Sequence, residues 1–404
     1  MRFISTRGNS EPVTFSQALL DGLAPDGGLY VTEAFPQLDY PSIESPVEII
    51  APFLDGDPLL YHIENICYNA FNFDIPMQIL DETTSILELF HGPTSAFKDV
   101  GARFLAECFS ALSSEYPDLK KTILVATSGD TGGAVASAFY KKPNFDVNIF
   151  FPHQGVSERQ EKQLTCWGDN IHSYAVKGNF DDCQKMVKKV LNSGDDKYSS
   201  ANSINIGRLL PQMTYYAMAS INMPGISYIV PTGNMGNVVA AFWAKNMGFP
   251  IDKIYLATNS NSTIKEYYET GEIKPQSTVK TLANAMDVGN PSNIERLQYL
   301  YPQIEVLKEC SDVLVVSDEE IEKTIISIKE KYDYICCPHT ATAMYFKQQL
   351  EGNWTIISTA HPAKFESVIE PIIKEEVPLP PELEGLLNRP NNFEILEQAD
   401  DFLK

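Results

Sequence analysis

No apolar run in this 404-residue chain is long enough to cross a bilayer as a helix, which excludes a helical membrane protein. Internal repeats and low-complexity blocks are absent as well. Positive charge is scarce: 31 lysines and arginines stand against 53 acidic residues, a formal net charge of −22. Such a surface repels nucleic-acid phosphates and anionic membranes, so neither is expected as a partner. It also repels a phosphorylated small molecule at long range. A phosphate ligand would therefore need local donors: helix N-termini, backbone N–H groups and a few arginines.

The seven cysteines are scattered and odd in number, with no Cys-x-x-Cys pair. They read as buried thiols, since a chain this long needs no disulfide framework. Cys336 and His339 stand three apart, but no second ligand pair answers them, and no metal is expected. The N-terminal MRFISTRGNSEP has neither the apolar core of a signal peptide nor the charge of a transit peptide. The expected compartment is the cytoplasm. Familiar catalytic signatures are missing too: there is no Walker A loop, no GxGxxG and no GxSxG.

What is present is an alternation of short β-branched runs and longer helical stretches. TILVA (122–126), VNIFF (147–151), 171–176, ISYIV (226–230) and 254–258 read as buried strands. Helical patterns follow several of them, at 157–164, 181–191 and 237–247. In 181–191, Cys183, Met186, Val187 and Val190 share one face with Phe180. This grammar predicts an α/β protein with open, mainly parallel twisted sheets covered by helices, and ligands at the carboxyl ends of strands. Residues 1–85 read as a helical and loop-rich entry segment, and the proline-rich tail from about 375 as a surface wrap.

Four stretches carry candidate chemistry. PTGNMGN (231–237) lies between a buried strand and a helix, where backbone N–H groups and the helix dipole suit a phosphate; an ordinary tight turn is the alternative. ATSGDTGG (126–133) brings hydroxyls and an acid to a second such turn; they suit a carboxylate or the polar edge of a cofactor ring, or else a capped helix with Ser128 or Asp130 as the cap. NSINIGR (202–208) offers an amide, a hydroxyl and a guanidinium for an oxyanion, or a loop with a surface ion pair. Finally, Lys98 opens a helix, where the dipole disfavours a cation. A lysine there suits amine and Schiff-base chemistry, unless it reaches out to solvent. One lysine, one phosphate cradle and one polar turn are the parts a pyridoxal phosphate enzyme needs.

HGPTSAFKD (91–99), TSGDTGGA (127–134) and PTGNMGN (231–237), in that order, resemble the threonine synthases, fold-type-II pyridoxal phosphate enzymes of the tryptophan synthase β family. Blocks at 4–8, 23–30, 180–184, 287–293 and 359–365 extend the resemblance over nearly the whole chain, with Thr32 a departure where proline is expected. The resemblance implies pyridoxal 5'-phosphate carried on Lys98. It places the cofactor phosphate on Gly233, Asn234, Met235, Gly236 and Asn237, Asp130 near the ring oxygen, and Thr359 at the ring nitrogen. Thr127, Ser128 and Thr131 would grip the substrate carboxylate, and Asn202, Ser203 and Arg208 the substrate phosphate, with Asn234 also facing substrate.

The implied reaction turns O-phospho-L-homoserine and water into L-threonine and phosphate, with Lys98 as the base. A threonine synthase-like phospholyase, releasing 2-oxobutyrate and ammonia, is the near alternative. An inactive PLP-fold binding module is the distant one. The implied domains are an N-terminal segment 1–85, a large cofactor domain 86–98 with 209–404, and a small mobile domain 99–208. A monomer is expected, with a homodimer as the alternative. His91 and His339 receive no derived role; His361, beside Thr359, is a candidate supporting residue.

Overall fold

The computed structural model describes residues 1–403. Its chain groups into two compact units. The first comprises Met1–Asn72, Lys98–Thr214 and the chain from Glu384 on; the second comprises Phe73–Phe97 and Tyr215–Leu383.

The first unit is built on five strands, all parallel, in the order Glu394–Leu396, Ile171–Val176, Phe145–Pro152, Lys121–Ala126, Tyr198–Ser200. Ile123, Leu124 and Val125 are fully buried, as expected of a strand covered on both faces. The 18-residue helix Lys98–Glu115 buries Val100, Phe104, Leu105, Cys108 and Leu112. That spacing repeats every three or four residues and gives the helix one apolar stripe. Helix Phe180–Leu191 starts at a reciprocal cap between Asn179 and Asp182, and it buries Cys183, Met186, Val187 and Val190.

The second unit is built on six strands in the order Val313–Val315, Ile251–Thr258, Ile226–Pro231, Trp354–Ser358, Thr84–Glu88, Met77–Asp81. All neighbours run parallel except the last pair. Strand Ile226–Pro231 is buried along its whole length and leads through a short turn into helix Gly236–Asn246.

The grouping differs from the division implied by the sequence, which set 1–85 apart and gave the tail to the large domain. Residues 1–72 share the core of the first unit. Phe15 packs its ring 6.5 Å from Phe104, and Ser199 Oγ and Asn205 Nδ2 donate to the Leu19 carbonyl. The tail joins the same unit as an edge strand, and Asn392 N donates to Thr165 O. Residues 73–97 belong to the second unit, because Thr84–Glu88 pairs in register with Trp354–Ser358.

Candidate functional site

In the first unit, Lys98 is the first residue of its helix. The helix dipole is not alone in bearing on its charge: Asp99 is the next residue in the chain and shares the first turn, and the structure adds Asp130, whose Oδ2 lies 3.9 Å from Lys98 Nζ. Both offset the unfavourable dipole for a cation at this place. Asp130 is buried and opens helix Asp130–Phe139, and its Oδ1 accepts from Gln160 Nε2 at 3.1 Å. Gln160 is itself fixed by a reciprocal cap with Ser157. Gly129, at φ +141°, passes so close that a Cβ would lie 2.5 Å from Gln160 Nε2. Sequence reasoning missed Gln160, although the Ser-x-x-Gln signature of its cap was legible.

The turn 127–131 divides its polar groups between scaffold and site. Thr127 does not fit the expected grip on a substrate carboxylate. It is 1% exposed, and its Oγ1 accepts from Gly129 N and Gly132 N, both at 3.0 Å, while donating to Gly129 O. Its backbone N donates to Phe150 O. Ser128 and Thr131 are half-buried and keep reach toward a ligand.

Asn202 is also largely committed: its amide donates to Ala126 O at 2.6 Å and accepts from Ala126 N at 3.1 Å, continuing the strand pairing by side chain. One Nδ2 hydrogen remains. Ser203 is half-buried. Arg208 is 2% exposed and donates to Ala201 O, and its Nε has no hydrogen-bond partner. Burial pushes its guanidinium down to about 10, against the pull of Asp99. Helix Lys98–Glu115 admits it at Gly101, where a Cβ would lie 2.6 Å from Arg208 O.

In the second unit, Met235 takes a left-handed conformation (φ 64°) just before helix Gly236–Asn246, turning the loop back on itself. The backbone N–H groups of Gly233 and Met235 make no hydrogen bond among the described residues. Asn237 Oδ1 accepts from Tyr215 and Tyr216 hydroxyls at 2.5 and 2.8 Å, which aims its Nδ2 the other way. That Nδ2 is buried and has no partner. A buried unpaired donor is costly. Unused N–H groups and an orphan amide at the start of an eleven-residue helix fit a phosphate. Asn234 is held from the far side, its Oδ1 by Ser292 N and its carbonyl by Asn293 Nδ2.

Thr359 follows strand Trp354–Ser358, and its carbonyl accepts from Phe97 N, the residue before Lys98. Around that strand end, Glu88 is buried and accepts from Tyr334 Oη at 2.9 Å, with His91 Nε2 at 2.8 Å. His361 Nδ1 accepts from Ala363 N. Burial, with His91 and Lys364 nearby, pushes its imidazole down to about 4, so it is neutral at pH 7. Glu88, His91, Ser95, Tyr334 and His361 line a cavity of 450 Å³. His339 Nε2 accepts from Ala285 N at 3.0 Å, which gives this residue a structural role that the sequence did not show.

Comparisons with known proteins agree over the whole chain. The family model described as pyridoxal-phosphate dependent enzyme matches residues 86–355, and those for the threonine synthase N terminus and C-terminal region match 2–55 and 339–402. The chain is 39% identical to a threonine synthase of Haemophilus influenzae, over 100% of this chain and 98% of that one. It is 37% identical to the Escherichia coli threonine synthase, over 95% and 94%. The crystal structure of the Escherichia coli enzyme superposes with a TM-score of 0.92 over 99% and 97% of the two chains, at 36% identity. A PLP-bound threonine synthase from Brucella melitensis gives 0.90 over 98% and 96%, at 33%.

Proposed function

This chain belongs to the threonine synthase family of pyridoxal-phosphate-dependent enzymes, and from that premise we propose that it converts O-phospho-L-homoserine and water to L-threonine and inorganic phosphate. The observation that carries the substrate reading is Arg208. It is a fully buried guanidinium with no carboxylate within ion-pair distance among the described residues and one donor unpaired, and such a group calls for an anion.

Pyridoxal phosphate, when bound, supplies an electron sink for charge on substrate carbons. Lys98 Nζ would carry the cofactor. Its freed amine would take the Cα proton and give it up to the bound cofactor before taking a Cβ proton, deliver that second proton to Cγ as the Cγ–O bond to phosphate breaks, and return a proton to Cα once water has added its hydroxyl to Cβ, the water's own proton leaving with the phosphate. Asp130 balances its charge while it holds a proton. The N–H groups of Gly233, Met235 and Gly236, with Asn237 Nδ2, hold the cofactor phosphate, and Asn234 shapes that loop. The Thr359 hydroxyl would meet the ring nitrogen as a neutral partner, and without a carboxylate there that nitrogen would have no anion to favour its protonation.

Ser128 and Thr131 orient the substrate carboxylate. Arg208, Ser203 and the remaining Asn202 hydrogen hold the departing phosphate and stabilise its charge. The protein acts as a cytoplasmic monomer in this reading, and light scattering at the mass of one chain checks the oligomeric state.

In a bacterium lacking its own threonine synthase, the gene should restore growth without threonine, and the Lys98→Ala variant should not. Failure to rescue by a protein that is expressed and folded would overturn the reading.

A further inference from the structure

Behind the phosphate loop lies a second layer of polar residues with no role in the chemistry above. We propose that Asp287 is a positioning residue for the cofactor: its ionised carboxylate gathers the turn on which Gly233 rests and so sets the direction of the loop's N–H groups. The inference rests on the reading of 232–237 as the cofactor-phosphate cradle.

The geometry runs from the carboxylate to the loop in short steps. Asp287 Oδ1 accepts from Thr281 Oγ1 at 2.7 Å, Asn259 Nδ2 at 2.8 Å and Asn261 Nδ2 at 3.4 Å, and Oδ2 accepts from Thr281 N at 3.1 Å. Asn259 and Asn261 follow strand Ile251–Thr258, whose Ala257 carbonyl accepts from Thr232 N at the root of the phosphate loop. One carboxylate thus ties the end of that strand to the turn 281–287.

The turn itself is closed by Met286 N and Asp287 N on the Ala283 and Asn284 carbonyls, and pinned from outside by His339 on Ala285 N. Gly233 lies flat on it, so close that a Cβ would sit 2.7 Å from Met286 Cα. A shift of the turn by a few tenths of an ångström must therefore move Gly233.

Asp287 accepts from each of its partners when ionised. A proton on Oδ2 would face the Thr281 N–H, which cannot accept it, and a proton on Oδ1 would require the Thr281 hydroxyl to turn from donor to acceptor, so protonation breaks or reverses bonds that the carboxylate makes. No cation lies within ion-pair distance among the described residues, and the charged group that bears on it is another carboxylate, Asp318, bonded to Leu282 N. Burial is the main reason its carboxyl is pushed up to about 6, with Asp318 adding to the shift.

The test is equilibrium binding of pyridoxamine 5'-phosphate, which carries the phosphate and ring but cannot bond covalently to Lys98. Binding is measured for the wild-type protein and Asp287→Asn between pH 5 and 8. At pH 8 the variant should bind at least roughly tenfold more weakly, since an amide placed among donors loses bonds to a charged acceptor. The ratio of the two affinities should shrink toward one below pH 6, as wild-type Asp287 takes up its proton. The ligand's own phosphate titrates in the same range but acts on both proteins alike.

A ratio near one at pH 8, or a deficit that does not change with pH, would overturn the proposal. Thr281→Val, which removes a single side-chain donor, should weaken binding by a smaller factor. If Asp287→Asn does not fold, that variant decides the matter: wild-type affinity in Thr281→Val at pH 8 would overturn the proposal equally. Absence of pyridoxamine phosphate binding by the wild-type protein at pH 8 would instead count against the cradle itself.

Discussion

Two glycine-rich turns follow the same grammar, strand then turn then helix, yet they use their donors differently. After strand Lys121–Ala126, Thr127 Oγ1 takes up the N–H groups of Gly129 and Gly132, so the turn satisfies itself. After strand Ile226–Pro231, the N–H groups of Gly233 and Met235 and the Nδ2 of Asn237 are left without partners among the described residues. The first turn is a scaffold that presents Asp130 beside Lys98. The second keeps its donors unused, as the proposed phosphate cradle requires. A Gly-rich motif thus reports a backbone geometry, and where each N–H points and bonds decides whether that geometry holds a ligand.

The largest effect belongs to Lys98. Lys98→Ala should lose the covalent cofactor absorbance and at least about 10²–10⁴-fold in turnover, the usual share of positioned proton transfer. Residual threonine formation near the wild-type rate would remove Lys98 from the chemistry, and with it the reason for the first turn to present Asp130 there.

Next comes Gly233→Ala, where the new Cβ meets Met286 backbone. Cofactor content after gel filtration should fall sharply. Gly133→Ala, whose Cβ would meet Gln163 Cβ at 3.3 Å, should retain cofactor. Equal behaviour of the two variants would erase the distinction between the turns.

Thr127→Val should act on stability instead, with about 1–3 kcal/mol lost for each donor left without a partner. Its melting temperature should drop even without cofactor. Asn237→Ala should do the reverse, weakening cofactor binding more than apo stability.

The smallest effects are in pH. His361 is held near 4 when folded, against its ordinary 6.5. The unfolded chain therefore binds its proton first, and the stability His361 confers is complete above pH 6.5 and lost as pH falls toward 4. Asp287 has the opposite sign: its folded value of about 6 exceeds 3.8, so the folded state binds the proton first and the protein gains stability as pH falls through that window. His361→Asn should thus flatten the acid side of a melting-temperature profile, leaving the Asp287 trend visible. An unchanged profile would remove His361 from the account.

Much of this arrangement was legible from sequence because it is local. The β-branched runs marked the strands to within a few residues, the stripe at 183, 186, 187 and 190 marked a buried helix face, and the three motifs fell on strand-to-helix turns. The remainder depends on where donors and side chains point in three dimensions, whether their partners are near or far along the chain. Thr127 looked like a ligand-gripping hydroxyl until the positions of Gly129 and Gly132 N–H were known. The role proposed for Asp287 rests on Asn259 and Asn261, a strand end away, and on Thr281 within its own turn, none of which carries a motif. Residues 1–85 read as a separate segment because nothing local announces that Phe15 packs on Phe104.

The most direct measurement is proton NMR of the cofactor-loaded protein with O-phospho-L-homoserine in D₂O. The account predicts L-threonine and phosphate in equal amounts, with deuterium at Cα delivered by Lys98 after exchange with solvent. 2-Oxobutyrate in place of threonine would contradict it, because water would then have failed to reach Cβ before the intermediate escaped.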